Sequence, residues 1–364
     1  MFSHIHPDNY QDQLDKKIQQ MKQLFTDFSL PNFEIYTSEP LNYRQRAEFR
    51  IWHQGDDIYY IMFDSETKQK FRVDDFPVAS ILINKAMTAL LAYIKDKPIL
   101  RERLFQVDFL STLTGELLIS LLYHKQLDAH WQEQVNILKE YLSVHGKVNI
   151  IGRARKQKII VEKDYVIETL QVADKTFQYQ QVENSFTQPN AKVNEKMLLW
   201  AQQNTTNKGG DLIELYCGNG NFSIALAQNF KRVLGTEIAK TSVYSAQENI
   251  KLNNIHNIDI VRMSSEEFSQ AMNGEREFRR LAGFNLTDYH YDTVLVDPPR
   301  AGLDVDSIEL VSRFNDIIYI SCNPHTLHEN LTKLTKTHQI TQFALFDQFP
   351  YTEHIECGVY LVRR

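Results

Sequence analysis

DLIELYCGNGNFSIALAQNFKRVLGTE (residues 211–237) decides the fold. DLIELY (211–216) is a short apolar run of strand length, and a turn carrying Gly218 and Gly220 follows it. FSIALAQNF (222–230) then reads as a helix, and RVLGTE (232–237) as the next strand. Glycines just past a strand end permit a tight turn and a close backbone approach to a ligand. The G-x-G spacing lacks the third glycine of a dinucleotide fingerprint, which leaves a nicotinamide dehydrogenase the weakest reading. Glu237 ends the next strand, where a carboxylate can accept both hydroxyls of a ribose. An adenosine-type cofactor lying across the strand ends fits this pattern.

The alternation continues toward the C-terminus. A helix is predicted through about Asn253, a strand in NIDIVRM (257–263), and a short helix after it. YDTVLVD (291–297) and DIIYIS (316–321) read as strands, with helices near 306–313 and from about His325. QFALFDQF (342–349) and ECGVYLVRR (356–364) close the chain as an antiparallel pair expected at one edge. Such alternation implies a parallel, doubly wound sheet. Before residue 188 the pattern differs. Tyr10, Leu14, Ile18, Met21, Leu24, Phe25 and Phe28 mark an amphipathic helix over 8–28, with Asp8 as its N-cap. AEFRIWH (47–53) and IYYIMF (58–63) flank the turn Gly55-Asp56-Asp57 as a hairpin. A helix opened by Pro77 is predicted over 77–95 and another over 128–144; LFQVDFLST (104–112) and ELLISLLY (116–123) are strands, and 147–170 is strand-rich. The expected organisation is therefore an α+β domain over 1–187 and an α/β, Rossmann-like catalytic domain over 188–364.

The 364 residues are enough for about two domains, and 43% hydrophobic with 24% charged residues is ordinary globular composition. The start, MFSHIHPDNY, predicts no secretory signal, and no run approaches membrane-span length, so a cytoplasmic protein without membrane contact is expected. Three cysteines, none in a C-x-x-C pair, exclude a four-cysteine cluster, and no metal site is expected. A net charge of −6 is not the bulk signature of a nonspecific nucleic-acid binder, although Arg44, Arg46 and Arg50, and again Arg153, Arg155, Lys156 and Lys158, form local basic clusters.

Cys322 lies in ISCNP at a strand end, ahead of a helix starting near Pro324, where a helix N-terminus would favour a thiolate. Alone, such a cysteine is more often a core residue. Glu356, in FPYTEHIECG, is ordinary in isolation but would be a candidate base beside a nucleophile. The adjacent prolines of DPPRAGL (297–303) force an extended, rigid backbone.

ENSFTQPN (183–190), ELYCGNGNF (214–222), DPPRAGLD (297–304), SCNP (321–324) and FPYTEHIECG (349–358) together resemble the RNA uracil-5-methyltransferases. NYRQRAEFR (42–50) and LFQVDFLSTLTGELLISLLYHKQLD (104–128) extend the resemblance to the tRNA-modifying branch over nearly the whole chain. The ribosomal-RNA branch carries an N-terminal barrel and a four-cysteine cluster, which this sequence lacks. Amine-modifying methyltransferases often carry an aromatic residue where Arg300 stands, which argues against amine methylation. The resemblance implies S-adenosylmethionine-dependent methylation of carbon-5 of uridine 54 in the tRNA T-arm, and of the equivalent uridine in tmRNA, by a monomer. It implies Cys322 as nucleophile and Glu356 as base, with Gln188, Tyr216, Asn221, Glu237 and Asp297 at the cofactor beside the turn glycines Gly218 and Gly220; sequence leaves open whether Asp297 faces the cofactor or the uracil. It also guides the choice of Arg50, Phe105 and His124 as RNA contacts, although Phe105 sits in an alternating strand where the pattern alone assigns a core position. The alternatives are a 23S rRNA uracil-5-methyltransferase and an RNA-folding chaperone with secondary catalysis.

Overall fold

The computed structural model describes residues 2, 5–64, 66–282 and 286–364. The chain forms two compact units. The first takes in Glu39–Thr169 and Gln180–Ala191 with the N-terminal residues up to Asn9. The second takes in Tyr10–Ser38, Leu170–Tyr179 and Lys192–Arg364.

The second unit is built on an eight-stranded sheet. Its order is Glu34–Tyr36, His338–Phe346, Glu356–Arg363, Asp316–Ser321, Tyr291–Val296, Asp211–Leu215, Arg232–Thr236 and Ile258–Val261. Every neighbouring pair is parallel except those made by Glu356–Arg363, which runs against both of its neighbours. All five residues of Asp211–Leu215 and all six of Asp316–Ser321 are buried. Central parallel strands are covered on both faces, so they read as unbroken apolar runs. Strand order reverses between Asp211–Leu215 and Tyr291–Val296, and a crevice for ligands opens at the carboxyl ends of such a switch point.

The division differs from a single cut between residues 187 and 188. The helix Tyr10–Leu24, preceded by a 3-10 turn over Pro7–Asn9, belongs with the second unit. The reason is its apolar stripe. Met21 and the following Phe25 are buried in the core cluster formed with Phe343, Leu331 and Leu334, and Phe25 meets Phe343 at a 5.0 Å centroid distance. Strand Glu34–Tyr36 adds itself to His338–Phe346, so the expected antiparallel C-terminal pair is not the edge of the sheet. The sequence reading also passes over the helix Ala191–Asn204.

The first unit carries a seven-stranded sheet in the order Lys70–Val73, Asp57–Phe63, Arg46–Gln54, Leu104–Ser111, Glu116–Tyr123, Lys147–Ala154 and Gln157–Ile160. Helices Ile81–Ile94 and Ala129–Leu142 bury Leu90, Ile94, Trp131 and Leu138 in its core. The first of these begins at Ile81, not at Pro77. Residues 77–78 form a turn instead, closed by the Ala79 amide on the Phe76 carbonyl, while the Pro77 and Val78 carbonyls accept the Asn42 and Arg44 amides; Ser80 then caps the helix through the Ile83 amide. Tyr165–Val172 and Lys175–Val182 form a separate two-stranded sheet whose residues are divided between the units. Among the described residues, no helix is long and apolar enough to cross a membrane.

Candidate active site

Four strand ends of the second unit's sheet bring the chemistry together. Leu215 and Val296 are register partners, so Tyr216 and Asp297, the next residues along, flank the switch point. Ser321 pairs with Cys357 across antiparallel strands, so Cys322 leaves one strand where Glu356 enters the other.

The glycine turn is shaped by left-handed backbone at Tyr216 (φ 64°), Gly218 (56°) and Gly220 (82°). A Cβ added to Gly218 would meet nothing within 4 Å, so open space lies beside the backbone there. Glu237 is oriented by two backbone donors: the Gly218 amide at 3.0 Å and the Ala239 amide at 2.7 Å. Each oxygen keeps lone-pair capacity for a hydroxyl. Tyr216 shares a 2.8 Å hydrogen bond with Ser265. Asn221 exchanges both amide hydrogen bonds with Asn194 at 2.9 Å, and its carbonyl accepts the Tyr179 hydroxyl. Gln188, half-buried, belongs to the first unit.

Asp297 has no hydrogen-bond partner among the described residues, and burial pushes it up to about 7. Glu214, buried and bonded to Ser223, is pushed up to about 8 by burial, with Asp297 and Glu237 adding to the rise. A cationic ligand beside these strand ends would favour the ionised forms of Asp297 and Glu214.

Of the three cysteines, Cys217 and Cys357 are buried and only Cys322 is half-exposed. Burial, then Glu356 and Asp297, raise Cys322 to about 11, while Arg300 opposes the rise. The expected gain from the helix N-terminus at Pro324 is therefore outweighed by desolvation and neighbouring carboxylates. Glu356 is 5% exposed and is pushed up to about 8 by burial and Asp297, again opposed by Arg300. Arg300 is thus the local cation for both groups, a role the sequence reading did not assign.

Asn330 was likewise missed. Its Oδ1 accepts the Leu303 amide at 2.8 Å and the Tyr319 hydroxyl at 2.7 Å, and its Nδ2 donates to the Leu303 carbonyl. It ties the DPPRAGL segment to the helix Pro324–Leu334, which follows Cys322. Nothing in a lone helical asparagine signals this from sequence. Among the described residues, no group of three or more His, Cys, Asp or Glu side chains could hold a metal ion.

The first unit brings Arg50, Phe105 and His124 together. The Phe105 ring and the His124 imidazole are stacked, and the Arg50 guanidinium lies 5.5 Å from the Phe105 centroid. The register between Leu104–Ser111 and Glu116–Tyr123 shifts between Leu104 and Gln106, and this bulge lifts Phe105 out of the core alternation. Phe105 and His124 line an open groove of about 630 Å³ with Lys125, Arg153 and Arg155. The 153–158 cluster is less free than its sequence suggests. Arg153 binds Glu183 through two 2.6 Å hydrogen bonds, and Lys158 pairs with Asp164 and Glu183.

The family model described as tRNA (Uracil-5-)-methyltransferase matches residues 9–364. The chain belongs to that family. As a tRNA (uracil-5-)-methyltransferase it is an enzyme that transfers a methyl group to uracil in tRNA. A curated relative from Colwellia psychrerythraea, named tRNA/tmRNA (uracil-C(5))-methyltransferase, is 74% identical over the whole of both chains. One of the same name from Shewanella pealeana is 61% identical over 98% of each chain. Among solved structures, the Pyrococcus abyssi tRNA (uracil-54, C5)-methyltransferase in complex with S-adenosyl-L-homocysteine superposes with a TM-score of 0.73. It is 21% identical and covers 99% of this chain and 86% of that one, a likeness of fold.

Proposed function

We propose that this tRNA (uracil-5-)-methyltransferase methylates carbon-5 of uridine 54 in the T-loop, and the equivalent uridine of tmRNA, through a covalent adduct with Cys322. The observation that carries the reading is the meeting of Cys322 and Glu356 at adjoining strand ends beside Asp297. The names of the bacterial relatives support tRNA and tmRNA as substrates, and the name of the archaeal structure supports position 54.

The cofactor is S-adenosylmethionine, and the residues present fit it. Glu237 is held ready for ribose hydroxyls, the Gly218 turn leaves open space, and unpartnered Asp297 faces no cation of the chain's own hydrogen-bonding network. Tyr216, Gly220 and Asn221 complete the proposed set within the second unit, and Gln188, in the first unit, is assigned on the resemblance alone. When bound, the sulfonium supplies an electrophilic methyl carbon for carbon-5 of uracil.

Carbon-5 of uracil is a poor nucleophile. The half-exposed Cys322 thiol releases its proton to solvent water, and the thiolate forms a bond to carbon-6. The displaced π electrons pass into the ring as an enolate, with charge available at carbon-5 for the new carbon–carbon bond, whose formation would break the sulfonium's bond to that methyl and leave a neutral thioether. Glu356 then removes the carbon-5 proton. The electrons of that C–H bond restore the 5,6 double bond as the carbon–sulfur bond breaks, which returns the thiolate. Neither residue substitutes for the other.

A base stacked inside a folded loop must be turned out to reach such a site. Arg50, Phe105 and His124 offer a cation and two ring faces for splayed bases, and Arg155 is a candidate for phosphate contact.

The test mixes the protein, S-adenosylmethionine and a T-arm RNA carrying 5-fluorouridine at the target position. Fluorine cannot leave as a proton does, so a denaturing gel should show a shifted band that vanishes with Cys322→Ala. Equal trapping by wild type and Cys322→Ala refutes the nucleophile. Binding and refolding of tRNA with no adduct replaces this reading with the chaperone alternative.

A further inference from the structure

Helix Tyr10–Leu24 places Tyr10, Gln13 and Lys17 at steps of three and four residues, the spacing that puts side chains on one face. All three reach the same segment, residues 347–355, which leaves strand His338–Phe346 and leads into Glu356. Lys17 Nζ donates to Asp347 Oδ1 at 2.7 Å and to the Phe349 carbonyl at 2.9 Å. Gln13 Nε2 donates to Asp347 Oδ2 at 2.9 Å, and Gln13 Oε1 accepts the Tyr351 amide at 3.1 Å. The Tyr10 and Tyr351 rings meet edge to face at 6.3 Å.

Two features show that this is more than surface packing. Lys17 and Asp347 are 3% and 0% exposed, and taking both ions out of water carries a desolvation penalty that close pairing only offsets. Such a pair is a poor way to gain stability, so a fixed geometry is the better account of it. Tyr351 adopts φ 62°, a left-handed conformation that is unfavourable for a non-glycine residue. Its amide is the one Gln13 holds. The far side of the segment is fixed by strand register, with Phe346 opposite Glu356 and Leu345 opposite Cys357. The end of strand Glu34–Tyr36 holds the Asp347 amide, and the helix clamps the Asp347 side chain and the stretch beyond it that leads to Glu356.

We propose that Lys17 and Gln13 are positioning residues for proton removal: they fix the path of 347–355 so that Glu356 enters its strand beside Cys322, shielded from water. The inference rests on the proposed role of Glu356 as the base.

The experiment uses full-length Lys17→Met and Gln13→Ala with S-adenosylmethionine and two T-arm RNAs. With 5-fluorouridine, trapping reports carbon–sulfur bond formation and methyl transfer but not proton removal. Both variants should trap at the wild-type rate. With ordinary uridine, kcat should fall by about 10²-fold, the size of loss that a displacement of about 1 Å produces. A denaturant-stable adduct should accumulate, the KM values should stay unchanged, and Lys17→Arg should restore turnover. Unchanged kcat overturns the proposal. So does a fall in kcat matched by an equal fall in 5-fluorouridine trapping, which marks a merely structural role. If Lys17→Met fails to fold, Gln13→Ala leaves the ion pair in place and decides the matter alone. Glu356→Gln separates the two levels. If it accumulates adduct on ordinary uridine and the helix variants do not, only the positioning role falls; if it does not, the base assignment falls and the proposal with it.

Discussion

The Phe105 ring lies on the His124 imidazole with centroids 3.9 Å apart and planes 11° from parallel. A flat pair of this kind, edged by the Arg50 guanidinium, presents a ready-made face on which an unstacked base can lie. Base–aromatic stacking contributes about 1–3 kcal/mol per base. Phe105→Ala and His124→Ala should each weaken T-arm binding by roughly 5- to 150-fold with little change in S-adenosylmethionine binding. Filter binding at fixed salt checks this. Because the rings touch, the double variant should lose less than the sum of the two.

Catalysis should speed up as pH rises. In the proposed mechanism Glu356 must be ionised to take a proton and Cys322 must be ionised to attack, yet burial and neighbouring carboxyl groups push them up to about 8 and about 11. Each gains its active form only as pH climbs, so kcat/KM should increase from pH 6 toward pH 9. Arg300 pulls both values down, so Arg300→Ala should displace the profile to more alkaline pH and lower the rate at neutrality. A pH–rate series on both proteins tests the sign. A variant profile displaced toward acid would remove Arg300 from this role.

Glu214 should make the protein less stable as pH rises. Its folded value, about 8, lies above its ordinary 4.5, so the folded state holds a proton that the unfolded chain has already released. The associated stability is complete below about pH 4.5 and is lost as pH rises through about 8. Glu214→Gln keeps an oxygen for the Ser223 hydroxyl and cannot ionise. Urea midpoints across that window should fall less steeply for the variant than for wild type. Parallel slopes would contradict the assignment.

Asn330→Ala should lower stability and disturb the site together. It removes the partners of the Leu303 amide and carbonyl and of the Tyr319 hydroxyl, all of them buried. A buried polar group left unsatisfied costs about 1–3 kcal/mol. Urea unfolding should show a loss of that order or larger, and S-adenosylmethionine binding should weaken because the segment carrying Asp297 and Arg300 loses its tie. Full stability in the variant would show that water replaces the amide.

Much of the second unit was legible because its strands are buried on both faces. Asp211–Leu215, Arg232–Thr236, Tyr291–Val296 and Asp316–Ser321 all fall within a residue or two of their apolar runs. What remained hidden depends on distant partners. The helix Tyr10–Leu24 showed its stripe, but nothing local says that the stripe meets Phe343, and Glu34–Tyr36 is a strand only because Ala344–Phe346 lies beside it. At the site, the glycine turn and Glu237 could be read from spacing. Cys322 and Glu356 could not, because a strand-end cysteine and a lone glutamate are ordinary until the antiparallel register joins them; only the resemblance singled them out. Phe105 was hidden by a bulge, since alternation cannot register an extra residue.

The placement of the first helix and strand has a consequence for how the molecule is made. Both are translated roughly 300 residues ahead of their partner, His338–Phe346. At about 5–20 residues per second, they wait roughly 15–60 s for the strand that will cover them. During that interval the core of the first unit, drawn from residues between Ala47 and Ile150, is synthesised as one block. The apolar face of Met21 and Phe25 meanwhile has no native cover, which leaves it open to the off-pathway association that chaperones prevent.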